Sequence, residues 1–192
     1  VAVTGSGDET VRVWDLTTGR PVGEPLTGHT GPVLVVATGV VDGRPVAVTS
    51  GADKTVRVWD LTTGRPVGEP LTGHTDSVRA VATEVVDGRP VAVTGSDDET
   101  VRVWDLTTGR PVGEPLTGHT DSVRAVATGV VDGRPVAVTS SRDETVRVWD
   151  LTTGRQVGPE LVFPAAVWAV AVTPDGRLVV GFGWEVSVLT RC

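Results

Sequence analysis

One run of 21 residues, TVRVWDLTTGRPVGEPLTGHT, stands at 10–30, 55–75 and 100–120 without a change. A fourth copy starts at Thr145 and diverges after Arg155, and the step between copies is 45 residues. A fold organised around one continuous core gives no reason to repeat a segment in this way. A fold of stacked, equivalent units does, because each unit must offer the next one the same packing surface. Any account of the 192 residues therefore has to begin with one unit and ask what it cannot bury alone.

Residues 29–73 serve as that unit. PVLVVATGVV (32–41) is a continuous apolar run rich in β-branched valine, and between turn residues it reads as a strand buried on both faces. DGR (42–44) is a hairpin signal, because Asp-Gly accepts the positive φ of a tight turn. PVAVTS (45–50) reads as a second strand, GADK (51–54) as a turn, TVRVWDL (55–61) as an alternating third strand, and PVGEPL (66–71) as a fourth. Pro66 and Pro70 lack the N–H of a central strand and place the fourth on an edge. Four short antiparallel strands without a helix make a small sheet with two apolar faces. Stacking such sheets around an axis covers both, which predicts an all-β fold, a β-propeller fragment of about four and a half four-stranded blades.

Composition narrows the partners. The net charge is −7, with Asp+Glu 24 against Lys+Arg 17, and no basic run is present. This argues against nucleic acid or an anionic membrane as the principal partner. No apolar stretch reaches the roughly 18 residues of a membrane-spanning helix. The single cysteine, Cys192, has no partner within the sequence for a disulfide. Ile, Asn, Met and Tyr are absent and lysine occurs once, a bias that reads as GC-rich, bacterial coding. The expected location is cytoplasmic.

The repeated residues resemble the WD-repeat propeller family over essentially the whole chain. Gly-His occurs at Gly28-His29, Gly73-His74 and Gly118-His119, and Trp-Asp at Trp14-Asp15, Trp59-Asp60, Trp104-Asp105 and Trp149-Asp150. An Asp stands six residues before each Trp, at Asp8, Asp53, Asp98 and Asp143. The resemblance implies hydrogen-bonded structural tetrads: His29, Thr49, Asp53 and Trp59; His74, Thr94, Asp98 and Trp104; His119, Thr139, Asp143 and Trp149. The first unit retains Thr4, Asp8 and Trp14. Such a set is sound chemistry in its own right, since a buried indole N–H needs an acceptor and imidazole can bridge a hydroxyl to a carboxylate.

The units divide as 1–28 (a partial blade), 29–73, 74–118 and 119–163 (full blades) and 164–192, a degenerate blade without a fourth strand. In the last, Phe163-Pro164 replaces Gly-His, and VSVLTR (186–191) replaces the Trp-Asp strand. Family members commonly close with three C-terminal strands and one N-terminal strand, in rings of about seven blades. That resemblance places Cys192 near a C-terminus, puts further blades before Val1, and leaves open faces through which the piece would self-associate.

His, Thr and Asp as neighbours admit a catalytic reading. Yet the trio recurs in every regular unit beside a Trp in need of an acceptor, which favours structure. One imidazole per unit is too sparse for a shared metal ion, and the expectation is no cofactor and no metal. TGSGDET (4–10) lacks the Lys-Ser/Thr of a phosphate loop. The differences between near-identical units carry more. One position reads Leu34, Arg79, Arg124, Trp168; another reads Gly7, Ala52, Asp97, Arg142; a third has Gly31, Asp76, Asp121. These lie at the entrance of the first strand and in the turn before the tetrad Asp, on one rim of a propeller. Two readings stand: a protein- or peptide-binding rim, or drift after duplication. The resemblance implies a non-catalytic interaction scaffold within a larger signalling or regulatory protein. The alternative is a small-molecule or glycan site, or catalysis, in the central channel.

Overall fold

The structure is a computed structural model that describes residues 1–189. Cys192 and the end of the VSVLTR segment lie outside the described residues, and so does the reading placed on them. Among the described residues there is no helix, and the strands fall into five sheets in chain order. The first holds β1 (Ala2–Gly5) and β2 (Val11–Trp14). The second holds β3 (Val33–Val41), β4 (Arg44–Gly51), β5 (Val56–Asp60) and β6 (Arg65–Pro66). The third repeats this pattern with β7 (Val78–Val86), β8 (Arg89–Ser96), β9 (Val101–Asp105) and β10 (Arg110–Pro111). The fourth has β11 (Val123–Val131), β12 (Arg134–Ser141), β13 (Thr145–Asp150) and β14 (Arg155–Gln156), with β15 (Leu161–Val162) also on β13. The fifth has β16 (Val167–Val172), β17 (Leu178–Phe182) and β18 (Glu185–Leu189). Every pairing is between antiparallel neighbours. The architecture is a partial β-propeller.

The hairpins form where the sequence places them. Asp42 and Gly43 both take positive φ (49° and 76°), the two-residue turn whose twist matches its flanking strands. Two expectations need correction. The strand buried on both faces is the second of each unit, where Val46, Ala47, Val48, Thr49 and Ser50 are all buried. The first strand, despite its valines, is largely half-buried. A strand flanked on both sides is covered by its own sheet and by both neighbouring sheets, whereas the first strand leaves one edge open. The fourth strand is also not continuous. β6 covers only Arg65–Pro66, and the chain rejoins β5 through a single bridge between Val56 and Leu71. Gly68 at φ +70° turns the chain out of the ladder and Pro70 has no N–H to donate.

Packing is between sheets. Val11, Val13 and Leu26 of the first unit meet Val33, Ala47 and Trp59 of the second. Val46, Val48, Val56, Val58 and Leu71 meet Val78, Ala92, Trp104 and Leu106. Val91, Val93, Val101, Val103 and Leu116 meet Val123, Ala137, Trp149 and Leu151. Val138, Val146 and Phe163 meet Val167, Val180 and Phe182. Each buried valine or leucine stabilises its interface by about 1.5–3 kcal/mol, so stability is distributed over repeated joints. The first strands of successive sheets run closest together while the outer strands splay apart, the fan expected around an axis. Thr83 Oγ1 donates to the Thr38 carbonyl at 2.8 Å, and Thr128 Oγ1 to that of Thr83 at 3.1 Å, stitching these inner strands together.

Candidate functional site

Two constellations stand out, one buried in each regular sheet and one at the entrance of the inner strands. In the second sheet, Trp59 Nε1 donates to Thr49 Oγ1 at 2.8 Å. His29 Nε2 lies 2.8 Å from the same hydroxyl, and His29 Nδ1 lies 2.8 Å from Asp53 Oδ2. The third and fourth sheets reproduce these contacts within 0.1 Å through His74, Thr94, Asp98, Trp104 and through His119, Thr139, Asp143, Trp149. The proton count settles the tautomer. A carboxylate only accepts, so His29 Nδ1 carries the hydrogen, and Nε2 accepts from the Thr49 hydroxyl, which in turn accepts from the indole. Every group in the line donates or accepts in one direction.

The sequence explains the placement. His29 follows Gly28, where an added Cβ would stand 2.8 Å from Arg57 Nη1 and 3.3 Å from the Trp59 ring, at a φ of +153°. Glycine lets the backbone pass close enough over the indole for the next residue to reach Thr49. Further hydrogen bonds, which the family resemblance does not imply, fix the carboxylate. Thr55 gives Asp53 Oδ1 both its N–H (3.1 Å) and its hydroxyl (2.9 Å), and the Thr30 N–H donates to Oδ2 at 3.0 Å. The signal for Thr55 is the fixed Asp-x-Thr spacing, which recurs at Asp98-Thr100 and Asp143-Thr145. The Asp of Trp-Asp serves a different end. Asp60 Oδ1 accepts from the N–H groups of Thr62 (2.7 Å) and Thr63 (3.1 Å), closing the turn after β5.

The first and last sheets depart from this arrangement in opposite ways. Trp14 Nε1 still reaches Thr4 Oγ1 at 2.8 Å, while Asp8 pairs with Arg12 at 3.0 Å. In the fifth sheet the register puts Val180 opposite Val170, as Thr49 is opposite Val36, and Leu189 opposite Leu178, as Trp59 is opposite Ala47. Hydroxyl and indole are thus replaced together by Val180 and Leu189. Phe163 and Phe182 pack beside them with ring centroids 5.0 Å apart. Removing both partners of a buried hydrogen bond costs far less than removing one.

Burial pushes the imidazoles of His29 and His119 below the ordinary histidine value, outweighing the raising effect of Asp53 and Asp143. Burial alone would raise Asp53, Asp98 and Asp143, but the hydrogen bonds from His, Thr hydroxyl and backbone N–H hold all three below the usual carboxylate range. Both shifts make the unfolded chain the better proton binder, so acid favours unfolding. The histidine contribution is complete above about pH 6.5 and declines below it; the carboxylate contribution is complete above about pH 4 and is lost as pH falls further. Asp8, Asp60 and Asp175, held low by their own turns, act in the same direction. The melting temperature is therefore expected to be level near neutral pH and to fall in two stages on acidification. A midpoint unchanged between about pH 7 and about pH 5 would contradict neutral, buried imidazoles.

As chemistry, the trio has the connectivity of a nucleophile, base and orienting acid. Thr49, Thr94 and Thr139 are fully buried, however, and each hydroxyl is already engaged by an indole and an imidazole. No substrate atom can approach them. Among the described residues no group of three His, Cys, Asp or Glu side chains could hold a metal ion.

The second constellation brings the variable positions together. In the first strand of each complete sheet and of the fifth, the register slips between Val33 and Val35, Val78 and Ala80, Val123 and Ala125, and Val167 and Ala169. The residues skipped are Leu34, Arg79, Arg124 and Trp168, each the extra residue of a β-bulge, a feature that re-aims a side chain out of the ladder. The turn residues adjoin them: the N–H groups of Ala52, Asp97 and Arg142 bond the carbonyls of Pro32, Ser77 and Ser122 at 2.9, 2.9 and 3.1 Å. Asp76 and Asp121 accept from the next N–H at 2.6 Å and anchor Ser96 and Ser141 through their carbonyls. Arg79 Nε lies 2.8 Å from Asp97 Oδ2, Arg124 Nη1 lies 3.6 Å from Asp97 Oδ1, and the Arg124 guanidinium sits 5.6 Å from the Trp168 ring centroid. One line of contacts thus joins the third, fourth and fifth sheets.

A family model described as WD domain, G-beta repeat matches residues 19–60, 64–105 and 109–150. No curated protein matches the chain. Each matched segment runs from the turn after one sheet's Trp-Asp to the Trp-Asp that ends the next sheet's third strand, so the three family units straddle the first three joints between sheets. With three such units over most of its length, the chain belongs to the WD-repeat family.

Proposed function

We propose that the chain is a non-catalytic scaffold that presents its bulged rim to a protein or peptide, as part of a larger cytoplasmic signalling or regulatory protein. Repeats of this family generally mediate protein–protein interactions. The observation that carries the reading is the coincidence of variation and geometry. In units otherwise almost identical, chemical diversity is concentrated at bulges and adjoining turns on one side, while the hydrogen-bonded sets below are copied without change. Leu34, Ala52, Arg79, Asp97, Arg124, Arg142 and Trp168 form a mixed apolar and charged surface on a rigid base, the composition of binding hot spots.

A peptide-library screen of the wild type against the R79A/R124A/R142A variant tests this. Arg79 and Arg124 share the partly buried Asp97, 17% exposed, so the variant is expected to lose about 1–3 kcal/mol but to remain folded, which circular dichroism at the binding temperature checks. Its peptide hits are expected to lose at least about tenfold in affinity, about 1.4 kcal/mol. Hits bound equally by both proteins would place the partner surface elsewhere.

A further inference from the structure

At the joint between the fourth and fifth sheets Leu189 stands where the earlier joints have an indole. A half-open pocket of about 590 Å³ lies there, lined by Val136, Val138 and Val148 on one side and Val172, Leu178 and Leu189 on the other, with Asp132, Arg134 and Arg177 also in its lining. This lies within the roughly 300–1,000 Å³ of small-molecule sites. The equivalent valines of the third sheet, Val91, Val93 and Val103, are covered by Trp149 and Leu151 of the fourth. In the second sheet Val46, Val48 and Val58 meet Trp104 and Leu106. The same surface is thus built to receive an indole at each earlier joint and receives a leucine here.

Exposure differs at this joint too. Leu26, Leu71 and Leu116, which bridge back to Val11, Val56 and Val101, are 6%, 4% and 7% exposed. Leu161, which stands in the same place against Val146, is 37% exposed. Val148 is half-buried where Val58 and Val103 are buried. The void cannot close by collapse, because the strands on both sides are held in register by their own ladders.

We propose that this joint is a binding site for a small, neutral aromatic molecule of indole size, seated where the preceding joints hold a tryptophan side chain. Pockets lined mainly by apolar side chains with a few polar groups take up small aromatic molecules, because a ring restores the contacts that the lining atoms lack. A planar bicyclic ring fits a slot between two sheets, where the valines and leucines offer it dispersion contact, while Asp132, Arg134 and Arg177 complete the lining. The site is separate from the rim, and its occupancy does not depend on the scaffold reading.

The experiment titrates indole into the full chain, observed by methyl NMR and by calorimetry. Indole is expected to shift the methyls of Val138, Val148 and Leu189 and to leave those of Val46 and Val58, at the filled joint, unchanged. Leu189→Trp is expected to weaken indole binding at least tenfold and to raise the melting temperature. Should that variant fail to fold, Val172→Phe reaches the same space from β16 and is expected to weaken binding likewise. Absence of binding up to the solubility of indole would overturn the proposal. So would equal binding by the filled variants, or binding of a tryptophan-bearing peptide but not of indole.

Discussion

Trp104→Ala is expected to lower stability by about 3–5 kcal/mol, the range for deleting a fully buried aromatic residue from a packed interior. Trp104 is 1% exposed and is the largest side chain between the second and third sheets, against Val46, Val48 and Val58. Its removal opens a cavity and also leaves the Thr94 hydroxyl without the indole N–H it accepts at 2.9 Å. In a chain of this size each kcal/mol moves the melting temperature by roughly 2–4 °C, so a fall on the order of 10 °C is expected. Trp104→Leu, which writes the Leu189 solution into a middle joint, is expected to lie between the wild type and alanine. Thermal unfolding of the three proteins decides it. A change of less than about 1 kcal/mol for Trp104→Ala would mean that the joints are not held by their indoles.

His74→Ala is expected to cost about 2–4 kcal/mol, less through lost contact area than through stranded partners. The imidazole spans Thr94 Oγ1 at 2.8 Å and Asp98 Oδ2 at 2.9 Å, both inside the sheet. Without it a buried carboxylate loses its ring donor, and the Thr94 hydroxyl hydrogen is left with the Arg102 carbonyl at 3.4 Å. The fifth sheet supplies the control, because it lacks the set altogether and packs Phe163, Val180, Phe182 and Leu189 instead. The combination Thr94→Val with Trp104→Leu is therefore expected to cost less than the sum of its parts, since each change removes the partner that the other strands. Strict additivity of the two would show that hydroxyl and indole do not act as a unit.

Much of this molecule is legible in the letters because the repeat reports each position several times over. The tetrads are implied by the family resemblance, and the residues that carry it recur at a fixed spacing: Asp stands six residues before Trp, and His 24 before Asp, in each complete copy. Spacing within a hairpin translates directly into distance, since the register of antiparallel strands is set by the turns between them. What the spacing leaves out is depth. PVLVVATGVV and PVAVTS are both apolar, and valine content favours the first as the core strand. Only the order of strands across the sheet makes the second the buried one. Likewise Pro66 marks an edge in the sequence, but the break after β6 depends on where Gly68 and Pro70 fall against β5.

The sequence alone determines the unit, its strands and its turns, because all of these are interactions within a short stretch of chain at a repeated spacing; the buried relay is named through the family resemblance that the repeated residues carry. Three things are decided only by the assembled sheets. The bulge takes Leu34, Arg79, Arg124 and Trp168 out of the ladder, the shared carboxylate of Asp97 joins neighbours 45 residues apart in sequence, and a pocket lined in part by Leu189 lies at one joint. The bulge is a register slip within one hairpin that the letters do not mark, and the other two depend on what a sheet meets in the next sheet, since contact between separate layers has no fixed spacing along the chain.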